Sequence, residues 1–216
     1  MFHELLPTDE DRAGFFESNY QRLPYARPDA VADARSLLTW DGLGEMLRSA
    51  CVADILVVGD GRLFDRAMAR DREELDALLR VGCSVVVRRA ENLDPRLAEV
   101  ADELAREVGG VSTVHLFASP EGHHSFGWHY DCEDVFLIQA DGQKDMYLRQ
   151  NTVNPAPTVA SMPADMQFEK ETTPLQVCTL LPTDCLYIPR GWWHVARCKS
   201  ACLTISVGVL SDAARG

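Results

Sequence analysis

The chain has 216 residues, of which 46% are hydrophobic and 25% charged, with a formal net charge of −12. That length fits one domain, no segment approaches the ~18–20 apolar residues of a membrane span, and excess acid repels phosphate backbones, which argues against nucleic acid as partner. The charge favours a cationic peptide or protein only weakly, and the simpler reading is that it keeps the protein soluble.

Met1 to Arg12 carries acids and lacks an apolar h-region, so no secretory signal is expected. Thr8-Asp9-Glu10-Asp11 resembles a capping box ahead of a helix over Ala13–Asn19. Pro28-Asp29-Ala30 opens a second helical stretch, and Trp40–Ser49 is a third. Ile55–Val58 reads as a strand ended by Gly59-Asp60-Gly61. Asp71–Val81 has helical spacing with Leu75, Leu78 and Leu79 on one side, Ser84–Arg88 is a β-branched strand, and Leu93–Glu107 is an amphipathic helix stopped at Gly109-Gly110.

From Val111 the pattern changes to short β runs: Val111–Ala118, Phe126–Tyr130, Val135–Gln139, Lys144–Arg149, Leu175–Leu181, Cys185–Ile188, His194–Cys198 and Leu203–Leu210. About eight short strands in a row predict a closed barrel or double-sheet jelly roll. The expected fold is therefore mostly β with flanking helices: one domain over 1–216, with an α/β elaboration at 1–110 and a closed-barrel or jelly-roll (double-stranded β-helix) core at 111–210. The long loop Asn151–Thr173, rich in Pro, Thr and Met, is a candidate lid. Seven cysteines, an odd number without a CxxC pair, predict reduced, mostly buried thiols of a cytoplasmic protein.

The chemistry concentrates at His129-Tyr130-Asp131 and, 65 residues beyond His129, at His194 in Tyr187-Ile188-Pro189-Arg190-Gly191-Trp192-Trp193-His194. Residues i and i+2 of a strand share a side, so His129 and Asp131 project together, and a barrel can bring His194 to them. Two imidazoles and one carboxylate on one face form the facial triad of non-haem Fe(II) oxygenases, with open positions opposite. Glu133 is a rival carboxylate. Singly, each histidine is as well explained by core packing; together they are not. His3 reads as terminal and solvated, and His123 and His124 as surface residues of a Gly-flanked loop. A hairpin through Asp141-Gly142 returns Lys144 towards the metal strand. There it is either a solvated post-turn lysine or a buried cation needing an anion, such as the distal carboxylate of 2-oxoglutarate.

The run Phe126-Gly127-Trp128-His129-Tyr130-Asp131-Cys132-Glu133-Asp134-Val135-Phe136-Leu137-Ile138-Gln139 resembles the metal strand of JmjC-domain, cupin-like 2-oxoglutarate oxygenases, closest to the protein-hydroxylating ribosomal-oxygenase branch. Asp184 to His194 resembles the second metal motif of the same family. Phe15–Pro24 and Val114–Pro120 are similar to its N-terminal entry and to the strand before the metal strand. The resemblance implies Fe(II) held by His129, Asp131 and His194, and 2-oxoglutarate anchored by Lys144, fifteen residues after His129. It also implies a co-substrate hydroxyl from Thr204, with dioxygen consumed and succinate and CO2 released. His115 stands where relatives often carry Asn, so its role is left open. Tyr130, Trp128, Trp192 and Trp193 either wall the cavity or pack in the core.

Gly216 follows the last predicted strand almost at once, without the dimerisation and winged-helix modules of the ribosomal oxygenases. Their substrates and dimer therefore do not transfer directly. The expected substrate is a peptide, a protein side chain or a small biosynthetic intermediate, and the oligomeric state is open. Two rival readings stand. One is a catalytically idle cupin-like module holding a ligand or protein, whose signature is a broken triad. The other is a metal-dependent cupin enzyme without 2-oxoglutarate, which usually carries HxH on the first metal strand. Hydroxylation and demethylation are not separated by these residues.

Overall fold

The computed structural model describes residues 2–65, 68–164 and 171–215. Among the described residues, seven α-helices decorate eleven strands. The helices are α1 (Phe2–Leu5), α2 (Asp9–Gly14), α3 (Ala34–Leu37), α4 (Trp40–Ser49), α5 (Arg72–Arg80), α6 (Pro95–Val108) and α7 (Asp212–Arg215). The strands are β1 (Tyr25–Arg27), β2 (Ile55–Gly59), β3 (Arg62–Leu63), β4 (Ser84–Val87), β5 (Val111–Ser119), β6 (Asp134–Asp141), β7 (Lys144–Arg149), β8 (Gln176–Leu180), β9 (Cys185–Ile188), β10 (Trp193–Cys198) and β11 (Cys202–Leu210).

Local chemistry explains most boundaries. Thr8 and Asp11 exchange side-chain and backbone hydrogen bonds to close the capping box of α2, and a π-helical turn continues it over Phe15–Asn19. Thr39, Asp71 and Asp94 accept from backbone N–H groups at the starts of α4, α5 and α6. The helix expected to open at Pro28 forms only as the single turn α3. Asp29 takes a left-handed φ of 50°, and its N–H and carboxylate bond Asp184 and Thr183 instead of propagating a helix.

The strands form an eight-stranded sheet ordered β1-β9-β6-β11-β5-β4-β2-β3 and a three-stranded sheet ordered β10-β7-β8. Every pairing is antiparallel. This is the mostly β, cupin-like fold that the strand pattern predicts, with one difference. Strands β1 to β4, from the first half of the chain, extend the same sheet as the barrel strands. The elaboration is thus continuous with the core.

Alternation sorts the large sheet into two faces. Ile55, Val87, Leu116, Ile205, Ile138 and Cys185 point outward and pack under Leu43, Leu75, Leu97 and Leu104 of the helices. The opposite face meets the small sheet through Leu137, Met146, Leu148, Leu180, Leu186 and Ile188. Two expectations fail here. Phe126–Tyr130 is not a strand: only His129 makes a bridge, to His194. Nor are β6 and β7 a hairpin. The Asp141-Gly142 turn carries the chain from one sheet to the other, so β7 faces β6 across the barrel. Gly142 sits at φ 72°, and a Cβ there would lie 2.1 Å from the Ala201 carbonyl oxygen.

Candidate metal centre

Ladder registers determine what lines the inner face. Leu56, Val86, Phe117, Thr204 and Gln139 stand side by side across β2, β4, β5, β11 and β6. His115, Ser206 and Leu137 form the next row, and Thr113, Gly208 and Val135 the one beyond. Most of these residues line a cavity of about 510 Å³ that also receives Arg88, Trp128, Glu133 and Lys144.

His129, Asp131 and His194 meet on its wall, each offering one ligand atom, all within 4.8 Å of one another. Among the described residues this is the one such cluster. The irregular segment reaches it because β10 holds its backbone. His129 and His194 exchange N–H···O bonds of 3.2 and 2.8 Å, and the Gly191 N–H donates to the Asp131 carbonyl at 2.8 Å. Asp134, buried just beyond, accepts from the Tyr187 hydroxyl and the Gln21 amide and pins the start of β6. Burial pushes its carboxyl above the usual carboxylate range against the pull of those hydrogen bonds.

The ring orientations suit a metal. His129 Nδ1 donates to the Gly127 carbonyl at 2.8 Å and His194 Nδ1 to the Trp192 carbonyl at 2.9 Å. A carbonyl can only accept, so each Nδ1 carries the proton and each Nε2 keeps a lone pair. His194 Nε2 lies 3.5 Å from Asp131 Oδ2. Burial, and then the adjacent His129 ring, hold the His194 imidazole well below its usual titration range. Two neutral imidazoles and a carboxylate are the donor set that Fe(II) takes with a face left open.

Of the residues expected to hold a co-substrate, Lys144 and Thr204 meet at one end of the cavity. Lys144 is 5% exposed. Its Nζ donates to Thr204 Oγ1 at 2.6 Å and lies 5.7 Å from the Phe117 ring centroid. No carboxylate among the described residues pairs with it, and a lysine so enclosed is suited to an anionic partner. Thr204 in turn donates to Gln139 Oε1 at 2.8 Å. His115 lies in the middle row, where burial, its largest influence, lowers its basicity.

Glu133 is not in the metal cluster. It lines the cavity, and burial followed by the Asp131 charge pushes its carboxyl up to about 7 despite a bond from Thr113. A Cβ at position 208 would sit 2.9 Å from Glu133 Oε2, so glycine makes room for it. Of the aromatic residues expected around the site, Trp128 lines the cavity. Trp192 packs between the sheets, and Tyr130 packs edge-on against Trp193. His123 and His124 flank Asp60 at the surface. Residues 165–170 of the expected lid lie outside the described residues. Sequence reasoning missed Gln139, Arg88, Thr113 and Ser206. The alternation along β5, β6 and β11 contained the signal for three of them, but it needed the inter-sheet register to be read.

A cupin-like barrel with a two-histidine, one-carboxylate cluster in its cavity defines a class of metal-binding β-helix protein. Within that class, the JmjC domain model matches residues 87–215, more than half of the chain, and the chain belongs to that family. It is 26% identical over 125 residues to ribosomal oxygenase 1 of Rattus norvegicus, covering 57% of this chain and 21% of that one. It is 25% identical over 156 residues to the bifunctional lysine-specific demethylase and histidyl-hydroxylase NO66 of Caenorhabditis briggsae, covering 69% of this chain and 19% of that one. The fold is similar to that of the Escherichia coli ribosomal oxygenase YcfD in complex with cobalt and 2-oxoglutarate. The TM-score is 0.68 at 19% identity, over 94% of this chain and 52% of that one. The chain thus spans about a fifth of the length of these curated relatives and about half of the solved one.

Proposed function

We propose that the protein is an Fe(II)- and 2-oxoglutarate-dependent oxygenase that hydroxylates a peptide, a protein side chain or a small biosynthetic intermediate. The observation that carries this reading is one cavity holding both the His129–Asp131–His194 cluster and a buried Lys144 that no carboxylate among the described residues pairs with. Family membership and a YcfD relative bound to cobalt and 2-oxoglutarate support it.

His129, Asp131 and His194 hold the metal. Lys144 pairs with the distal carboxylate of 2-oxoglutarate. Thr204, which accepts from Lys144 and donates to Gln139, positions the ammonium beside that group and can reach it only by turning its hydroxyl away from Gln139. Bound iron and 2-oxoglutarate supply the oxidising power that turns dioxygen on a C–H bond, with succinate and CO2 as co-products. The protein contributes geometry and a shaped, largely dry cavity.

The substrate side follows from the ladder. Thr204 and Gly208 are four residues apart on β11, about 13 Å at ~3.3 Å per residue. Lys144 marks one end of that span and Glu133 the other. That separation supports a co-substrate on the Lys144 side of the metal and a substrate on the Glu133 side. A half-buried carboxyl there favours a substrate group with N–H donors. This agrees with relatives named as acting on lysine and histidyl residues.

The test is turnover. Purified protein given iron(II), 2-oxoglutarate and dioxygen is expected to release succinate above a protein-free control, at least in uncoupled turnover. Folded, metal-loaded protein that releases none would overturn the reading.

A further inference from the structure

Cys198 and Cys202 flank the three-residue turn between β10 and β11. Their Sγ atoms are 2.7 Å apart, and the residues are 2% and 0% exposed. All seven cysteines are free thiols, and no other pair among the described residues is in hydrogen-bond contact. From the spatial arrangement of this pair we infer a modification site: Cys198 and Cys202 form a reversible disulfide when the protein meets a small hydroperoxide. This inference does not depend on the oxygenase reading.

Position makes the pair accessible in spite of its burial. Cys198 is the register partner of Lys144, and Lys144 lines the cavity. Register partners share a face of the sheet, so the Cys198 side chain lies beside that of Lys144, one side chain away from the cavity lining. That is the proposed route for an oxidant as small as hydrogen peroxide. The turn between them is held in place. Gln143 accepts from the backbone N–H of Lys199 at 2.8 Å, and its own N–H donates to the Ser200 hydroxyl at 2.9 Å. With the sulfur atoms already in contact, closure asks little of the backbone.

The two thiols have different roles. The two sulfur atoms share one hydrogen bond, and this contact lowers the Cys202 thiol and raises Cys198. Cys202 is accordingly the nucleophile. Its thiolate attacks the O–O bond of hydrogen peroxide, an S–O bond forms, and hydroxide leaves with one electron pair. That hydroxide takes the Cys198 proton to give water. The Cys198 thiolate then attacks the Cys202 sulfur, the S–S bond forms, and the second oxygen leaves as hydroxide. It is neutralised by the proton Cys202 released on ionising. Two thiols lose two electrons, and one peroxide becomes two waters. The bond joins the end of β10, which carries His194, to the start of β11, which carries Thr204.

Peptide mapping of the whole protein tests this. Trypsin cuts after Arg197 and Lys199, so the two cysteines fall in separate peptides that stay together only through a disulfide. After stoichiometric hydrogen peroxide and blocking of free thiols, the linked pair should appear under non-reducing conditions. It should disappear with dithiothreitol. In Cys198→Ser, dimedone should instead trap a sulfenic acid on Cys202, and in Cys202→Ser, Cys198 should stay unmodified. Recovery of both cysteines as free thiols from peroxide-treated wild type, with oxidation confined to Cys51 or another cysteine, would overturn the inference. So would pairing of either residue with a different cysteine.

Discussion

The Nδ1 contacts of His129 and His194 are short-range facts with a long-range effect, since each turns a lone pair into the cavity. Asp131 completes the set, and Glu133, two residues on, does not. Asp131→Ala should therefore weaken iron(II) binding beyond the roughly 10–100-fold that loss of a supporting contact costs. Glu133→Gln should leave it unchanged. Calorimetric titration with iron(II) under anaerobic conditions separates the two. Lys144→Ala removes a charge-assisted hydrogen bond worth about 1.5–3 kcal/mol. It should weaken 2-oxoglutarate binding by roughly 10–100-fold while sparing the metal, as measured by the same method. The residue types at this site were legible in the sequence, because few arrangements need HxD, a distant His and a Lys together. Glu133 as a cavity carboxyl was not, since its neighbours Thr113 and Gly208 come from strands it does not border in sequence.

At the level of elements, caps and turns were the readable features. Thr8, Thr39, Asp71 and Asp94 all cap as their residue types predict. Asp94→Ala should cost about 1 kcal/mol in urea unfolding at neutral pH. Hydrogen bonds from Arg96 dominate the environment of Asp94 and hold its carboxyl below the usual range. A lowered folded value means that its stabilisation is present above the unfolded value near ~3.9 and is lost as pH falls through the folded one. Asp94→Asn should remove that share of the acid-side decline, seen as a flatter stability profile below neutral pH. Gly142→Ala combines a positive φ with a clash at the Ala201 carbonyl. It should cost at least ~1–3 kcal/mol by urea midpoint. Two elements were misread for physical reasons. Phe126–Tyr130 lacks a strand neighbour beyond the single His129 bridge, and its bend is what lets His129 reach the Gly127 carbonyl. Asp141-Gly142 has the chemistry of a hairpin turn but serves as a corner between sheets, which turn residues alone do not distinguish.

Across the whole molecule, the elaboration expected at 1–110 and the core expected from 111 share one sheet, because β4 pairs with β5 and β1 with β9. The outward face of the barrel strands also relies on α4, α5 and α6 for cover. A fragment beginning at Val111 should therefore lack a cooperative unfolding transition in circular dichroism. No helix is long and apolar enough to cross a membrane among the described residues. The central claim is that His129, Asp131, His194 and Lys144 make one iron and 2-oxoglutarate site. Its most direct test is an anaerobic titration of iron(II)-loaded protein with 2-oxoglutarate, following the visible charge-transfer band of an iron(II)–2-oxo acid chelate. The account predicts a saturable band at one equivalent of iron, absent in Asp131→Ala and shifted to higher 2-oxoglutarate in Lys144→Ala. Folded wild-type protein that binds iron(II) but develops no band at saturating 2-oxoglutarate would contradict it.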